Sequence, residues 1–286
     1  MSHQARSAES GAQLLARLEG RRSLENIEPR LFPEDGGPAK GDVVEFHGAE
    51  GAGKTEALYH LLARCILPAA CGGLEAEAVL VDTDYHFDAL RLVAVLERRL
   101  PASLGEEAVR ASLGRLYVAH CSSSTQLLLT LHYLEGMFCS RPALAALVLD
   151  SVSAFYWADR ACGGESLARQ EANLRKCARL LERFLRDYGI VVFATTHAIM
   201  RNYASEAEAS SSSSSSRRRG PPAATDLSKA YLCKAWHSIV THKMFFTKGE
   251  VTKDKKQVFS ITSSCSRTKS TKTCSFCVTD AGVQFL

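Results

Sequence analysis

The sequence predicts an α/β fold: a mostly parallel β-sheet flanked by helices, extended near the C-terminus by antiparallel strands. Two observations carry this reading. Short apolar, β-branched runs alternate with longer segments of helical period, a pattern that buries a parallel sheet on both faces. One of those runs also leads straight into a glycine-rich loop that opens a helix.

The strands, in order, are Val43 to Phe46, Val79 to Val81, Leu116 to Ala119, Leu147 to Leu149 and Ile190 to Thr195. Between them the helical segments are Glu56 to Leu67, Phe87 to Leu100, Thr125 to Phe138 and Gly164 to Tyr188. The last places Leu167, Leu174, Cys177, Leu181 and Phe184 on one helix face, at spacings of three, four and seven. After Thr195 the texture changes. Met200 to Thr225 holds seven consecutive serines, Arg217 to Arg219 and Pro221-Pro222, with little apolar content. Such a segment buries too little to offset its ordering entropy, so a disordered loop is expected over 200–225. Ile239 to Thr247, Val258 to Thr262, Ser275 to Val278 and Val283 to Phe285 then read as hairpin strands added to the sheet. The chain thus divides into an N-terminal segment, 1–40, and a core, 41–286.

The chemistry begins at Gly48-Ala49-Glu50-Gly51-Ala52-Gly53-Lys54-Thr55, which fits G-x-x-x-x-G-K-[ST] at every fixed position. A strand precedes it and a helix follows, as the motif requires. Its glycines let backbone N–H groups converge on phosphate oxygens, and the helix N-terminus adds a favourable dipole. Lys54 is expected against the β- and γ-phosphates of ATP, and the Thr55 hydroxyl in the Mg²⁺ shell. Asp150, which ends the buried run Leu144 to Leu149, is the second expected Mg²⁺ residue. An attacking water needs another carboxylate within hydrogen-bonding reach. Asp82 and Asp84, after the strand Ala78 to Val81, are the available pair.

Composition narrows the partners. No run approaches the ~18–20 apolar residues that cross a bilayer, and polar Met1 to Ser10 carries no export signal. Ten cysteines scattered through apolar segments are then expected as reduced thiols. The net charge of +4 is modest, but basic residues crowd the region from Lys243 to Lys272. Such runs matter for nucleic acid only where the fold lines them along a channel.

These pieces resemble the eukaryotic RecA-type recombinases. The resemblance rests on Ser10-Gly11 with Leu14 to Leu18, Gly41 to Phe46, Asp82-Thr83-Asp84, Ala168-Arg169-Gln170, and Phe276-Cys277-Val278 with Gly282-Val283. Within that family the chain is similar to the recombinase paralogues, on Cys65 to Pro68, Asp82 to Asp88, Cys121 to Thr125, Ser153 to Trp157 and Tyr231 to Trp236. The resemblance implies a RecA-like P-loop NTPase core. It also implies a nuclear protein of homologous recombination, which binds ATP and Mg²⁺ and works in a hetero-oligomeric complex of recombinase paralogues, partnered most directly by paralogue D. Single-stranded or branched DNA is the implied nucleic-acid partner. The first DNA loop falls at Phe155 to Arg169 and the second at Met200 to Thr225, with Arg160 and Arg169 as phosphate contacts and Tyr156 or Trp157 as stacking platforms.

Two departures bear on catalysis. Asp84 stands where the family carries a glutamate, and His197 replaces the glutamine that senses the γ-phosphate. With no N-terminal helical domain before residue 10 and no linker phenylalanine, these changes predict ATP binding with weak or absent hydrolysis, and no self-assembled filament. An active DNA-dependent ATPase with strand-exchange activity is the alternative. A P-loop kinase would need an arginine-rich lid, and a transporter ATPase a second signature loop; neither stands out in the sequence.

Overall fold

The computed structural model describes residues 20–32, 37–198, 231–251 and 256–286, together with Gly11. Ser10, Leu14 to Leu18 and the serine-rich segment Met200 to Thr225, with Arg217 to Arg219, lie outside the described residues.

Among the described residues nine strands form one sheet in the order β3-β2-β4-β5-β1-β6-β7-β8-β9. The parallel half comprises β1 (Val43–Gly48), β2 (Glu77–Asp82), β3 (Leu116–His120), β4 (Leu144–Asp150) and β5 (Val191–His197). β6 (His242–Val251) runs parallel to β1 and antiparallel to β7 (Gln257–Cys265). β8 (Thr271–Thr279) and β9 (Gly282–Phe285) complete the antiparallel half. The expected mostly parallel sheet with C-terminal antiparallel strands is therefore what the chain forms.

Alternation along each strand splits the core in two. On β4, Ala146 and Val148 face a cluster with α1 (Lys54–Ile66) and α2 (Ala89–Arg99). Leu147 and Leu149 face the opposite cluster, with α4 (Ser124–Ser140) and α7 (Ala172–Tyr188). Period-two side chains on a sheet covered on both sides produce this division. Each fully buried Leu, Val or Phe contributes roughly 1.5–3 kcal/mol, so the two layers hold the central strands firmly. Leu24, Ile27, Leu31 and Phe32 join the first cluster. Arg21 donates to the carbonyls of Leu144 and Phe138, at 2.5 and 2.8 Å. The described part of segment 1–40 thus packs into the same core.

Helix ends follow local chemistry. Asp88 caps α2 by accepting from the Arg91 amide at 3.1 Å, and Ser123 caps α4 by accepting from Gln126 at 3.2 Å. α7 ends at Gly189, whose φ of 59° is the left-handed stop glycine favours.

Four elements differ from the sequence reading. The single helix expected over Gly164 to Tyr188 is a short α6 (Leu167–Gln170) followed by α7. The expected first DNA loop, Phe155 to Arg169, is largely helical: α5 (Tyr156–Gly163) turns at Gly164 (φ 57°) into α6. A Cβ on Gly163 would stand 2.6 Å from the Gln170 amide nitrogen, which explains the tight corner. α3 (Gly105–Leu113) was not anticipated. Neither was α8 (Lys234–Ile239), which takes Ile239 out of the expected strand. α8 is anchored by Trp236, fully buried, whose indole N–H donates to Glu45 Oε1 at 2.8 Å.

Candidate functional site

The parallel register gathers the polar strand ends at one edge of the sheet. Asp82 on β2 is level with Asp150 on β4, and Gly48 on β1 is level with His197 on β5. Ligands of open α/β sheets bind at these carboxyl ends. The glycine-rich loop Gly48, Ala49, Glu50, Gly51, Ala52, Gly53 springs from β1 and enters α1 at Lys54 and Thr55. Gly51 and Gly53 have φ of 68° and 90°, a backbone that L side chains adopt only with strain. Two close approaches also demand glycine. A Cβ on Gly48 would meet the Phe246 carbonyl oxygen at 2.5 Å, and one on Gly53 would meet the Phe276 ring at 2.8 Å. The antiparallel half of the sheet therefore presses an aromatic wall against the loop.

Lys54 is buried, and its ammonium donates to the carbonyls of Gly48 and Ala49, both at 2.8 Å. Burial pulls its pKa down, opposed by the charges of Asp150, Glu50 and Asp84. The Thr55 hydroxyl donates to Asp150 Oδ2 at 3.3 Å, and the Thr195 hydroxyl bonds Asp150 Oδ1. Burial raises the Asp150 pKa, and the nearby Asp84 charge raises it further, against the Thr195 and Thr55 hydrogen bonds. The donor set suits Mg²⁺ bound beside phosphates: one hydroxyl and one carboxylate, both oxygen ligands, leaving other positions to phosphate and water. A dication there would relieve the buried charge on Asp150.

Asp84, in the turn after β2, and His197, at the end of β5, are brought together: His197 Nε2 lies 3.2 Å from Asp84 Oδ2. Burial pushes the Asp84 carboxyl upward, but hydrogen bonds from His197 and Ser151 outweigh it and hold the pKa below the ordinary value. Asp82 is committed elsewhere, since its carboxylate accepts from the amides of His86 and Phe87 at 3.3 and 3.1 Å. It shapes the turn that presents Asp84.

Sequence reasoning missed the supporting shell. Thr83 exchanges hydrogen bonds with the Ser151 backbone, at 2.7 and 2.6 Å. Ser153 Oγ accepts from the His197 amide at 3.1 Å, and His47 Nδ1 bonds Thr196 Oγ1 at 2.9 Å. The available signal was polar residues, Thr195 and Thr196, ending an otherwise apolar strand. Tyr231 closes the cluster from beyond α5, donating to the His197 carbonyl at 2.6 Å.

Arg160 and Arg169 are exposed on α5 and α6, and Arg160 reaches the cluster's edge only through Tyr156. Arg160 Nη1 donates to Tyr156 Oη at 2.7 Å. Trp157 is 61% exposed, while Tyr156 packs edge-on against Tyr231.

Fold and site together define a P-loop protein with a RecA-like core. The Rad51 family model matches residues 30–284, and the chain belongs to that family. It is 51% identical over 281 residues to the DNA repair protein XRCC2 of Mus musculus, covering 98% of each chain. It is 28% identical over 260 residues to the DNA repair protein XRCC2 homolog of Arabidopsis thaliana, over 73% of this chain and 69% of that one. The DNA repair protein RAD51 of Mycosarcoma maydis is 32% identical over 164 residues, or 57% of this chain and 46% of its own.

Proposed function

We propose that the chain is an ATP-binding subunit of a recombinase paralogue complex in the nucleus. There it assists the main recombinase in homologous-recombination repair of DNA double-strand breaks. The observation that carries the reading is a complete phosphate loop, Gly48 to Thr55, beside an Asp84 whose carboxylate is engaged by His197 at 3.2 Å. Whole-length similarity to a protein named for DNA repair supports the pathway.

In this reading the loop amides and Lys54 bind the phosphates of ATP, with the Lys54 ammonium exchanging loop carbonyls for phosphate oxygens. Thr55 and Asp150 hold Mg²⁺, which when bound neutralises phosphate charge. Asp84 is the carboxylate nearest in role to a general base, but its pairing with His197 makes it a weaker one, because proton-transfer efficiency falls as the base's pKa falls away from the working pH. The site therefore holds nucleotide better than it cleaves it. Arg160 and Arg169 contact DNA phosphates from the α5–α6 corner, and Trp157 is free to stack on a base. Paralogue D is the proposed direct partner.

An active DNA-dependent ATPase is the second reading, favoured by the meeting of Asp84 and His197 at the strand ends. Binding and turnover of labelled ATP on the purified complex separate the two. Stoichiometric binding with little turnover supports the adaptor. Rapid DNA-stimulated turnover abolished by Lys54→Ala would overturn it. Recovery of other recombinase paralogues from nuclear extract checks the assembly, and their consistent absence counts against it.

A further inference from the structure

On the first-cluster side of the sheet, away from the phosphate loop, lies an open cleft of about 530 Å³ between the N-terminal segment, α1, the end of α2 and β9. Three guanidinium groups line it: Arg30, Arg64 and Arg99. Among the described residues its lining holds one carboxylate, Glu28, and that group is already engaged. Glu28 Oε1 accepts from Arg30 Nε at 2.7 Å, and Glu28 Oε2 stands 2.6 Å from His60 Nε2. Burial raises the Glu28 pKa, but these partners outweigh it and bring it to about 2.

His60 completes a relay of fixed polarity. Arg99 Nη2 lies 2.7 Å from His60 Nδ1. A guanidinium can only donate, so Nδ1 accepts and the ring proton sits on Nε2, facing Glu28. Burial and the charges of Arg99 and Arg64 lower the His60 pKa, so the imidazole is neutral at physiological pH. The cleft then carries three positive charges against one negative.

Part of the surplus is withheld from water. Burial, reinforced by the charges of Arg64 and Arg30, depresses the Arg99 pKa to about 10. Arg99 has no carboxylate within ion-pairing distance among the described residues; its guanidinium meets His60. Arg64 uses Nε and Nη2 on the carbonyls of Ile27 and Asn26, at 2.7 and 3.1 Å. Its Nη1 points toward Gly72, where an added Cβ would stand 3.7 Å away. Arg30 spends Nε and Nη2 on Glu28. Each guanidinium thus keeps N–H groups beyond those bonds. Three forked donors around an open, concave space with a net charge of +2 match a tetrahedral dianion.

We propose that the Arg30–Arg64–Arg99 cleft is a second anion site that binds a phosphoanion, either free phosphate or the phosphorylated side chain of a partner. It is separate from the phosphate loop, so its test does not depend on the ATP-binding reading.

The test is calorimetric titration of the full chain at constant ionic strength, with saturating ATP and Mg²⁺ to occupy the phosphate loop. The probes are inorganic phosphate and a short phosphoserine peptide. Saturable phosphate binding beyond a chloride control is expected, weakened at least tenfold by Arg99→Gln and by Arg64→Gln, with ATP affinity unchanged. A peptide at least tenfold tighter than inorganic phosphate assigns the phosphorylated side chain; equal affinity assigns the free anion. Arg30→Gln, at a side chain 57% exposed, is a fold-sparing variant expected to weaken binding about threefold if either other variant misfolds. Identical isotherms for folded variants and wild type overturn the proposal. So does an oligonucleotide that needs Arg99 while neither phosphate probe binds, which would assign a nucleic-acid contact instead.

Discussion

Replacing Gly53 with alanine tests how the antiparallel half of the sheet supports the phosphate loop. Gly53 has φ 90°, and its added methyl would lie 2.8 Å from Phe276 Cζ and 3.3 Å from Phe259 Cδ1. Phe276 is fully buried, stacked on Phe259 with centroids 5.2 Å apart and tilted against Phe285 at 6.2 Å. Its ring has little room to retreat. The left-handed backbone costs roughly 1–2 kcal/mol for a residue with a Cβ, and overpacking costs about 1–3 kcal/mol. The expected loss is therefore about 2–5 kcal/mol, each kcal/mol lowering the melting midpoint by roughly 2–4 °C. Urea denaturation of Gly53→Ala, Phe276→Leu and the double variant measures it. The double variant should recover the overpacking part and leave the backbone part, a coupling of roughly 1–2 kcal/mol within the range of contacting residues. A Gly53→Ala loss below about 0.5 kcal/mol, the level of ordinary surface changes, would refute the reasoning. So would full additivity with Phe276→Leu.

Three further outcomes are expected. His197→Ala removes one of the two hydrogen bonds, from His197 and Ser151, that hold the Asp84 pKa down, so ATP turnover should rise at least threefold with ATP affinity unchanged; steady-state rates at saturating ATP decide, and an unchanged rate sinks the weak-base account. The folded pKa of Asp84 is depressed from 3.8, so its pairing stabilises the protein above that value and is lost as pH falls through the lower folded one. Acid unfolding followed by circular dichroism should accordingly be shallower for Asp84→Asn than for wild type. Trp236→Phe removes the indole donor from Glu45 Oε1, on a side chain only 4% exposed whose other oxygen faces Lys243 at 4.0 Å; the unpaired Oε1 should cost about 1–3 kcal/mol in urea titrations, and a loss under about 0.5 kcal/mol would show that it finds another donor.

The central strands were legible because being buried on both faces forces continuous apolar runs, and the loop because phosphate binding fixes its glycines. The α5–α6 corner was not. Its helical turns are short and leave Trp157 and Leu167 exposed, so apolar period gives no guide, and the break depends on Gly163 packing against Gln170, a contact that composition does not reveal. α8 was hidden for a different reason: Trp236 is explained by Glu45, 191 residues earlier. At the site, Lys54, Thr55 and Asp150 stand out by motif, and Asp84 and His197 by resemblance. The hydroxyl groups of Thr83, Ser153 and Thr196 are ordinary residues whose role exists only once strands lie side by side. The three arginines of the cleft are likewise spread over separate segments, and no pattern in the sequence links them.

The placement of β1 between β5 and β6 has a consequence for synthesis. The Val43 amide donates to Thr241 Oγ1, 198 residues further along, and the wall behind Gly53 includes Phe276. At roughly 5–20 residues per second, a ribosome makes the nucleotide loop some 10–40 s before it makes the strand that locks it. Until β6 emerges, β1 can pair only with β5, and its other edge stays open. A message cut short before β8 yields a protein whose most recognisable motif keeps Phe246 and Phe259 but loses Phe276, the closest ring behind Gly53.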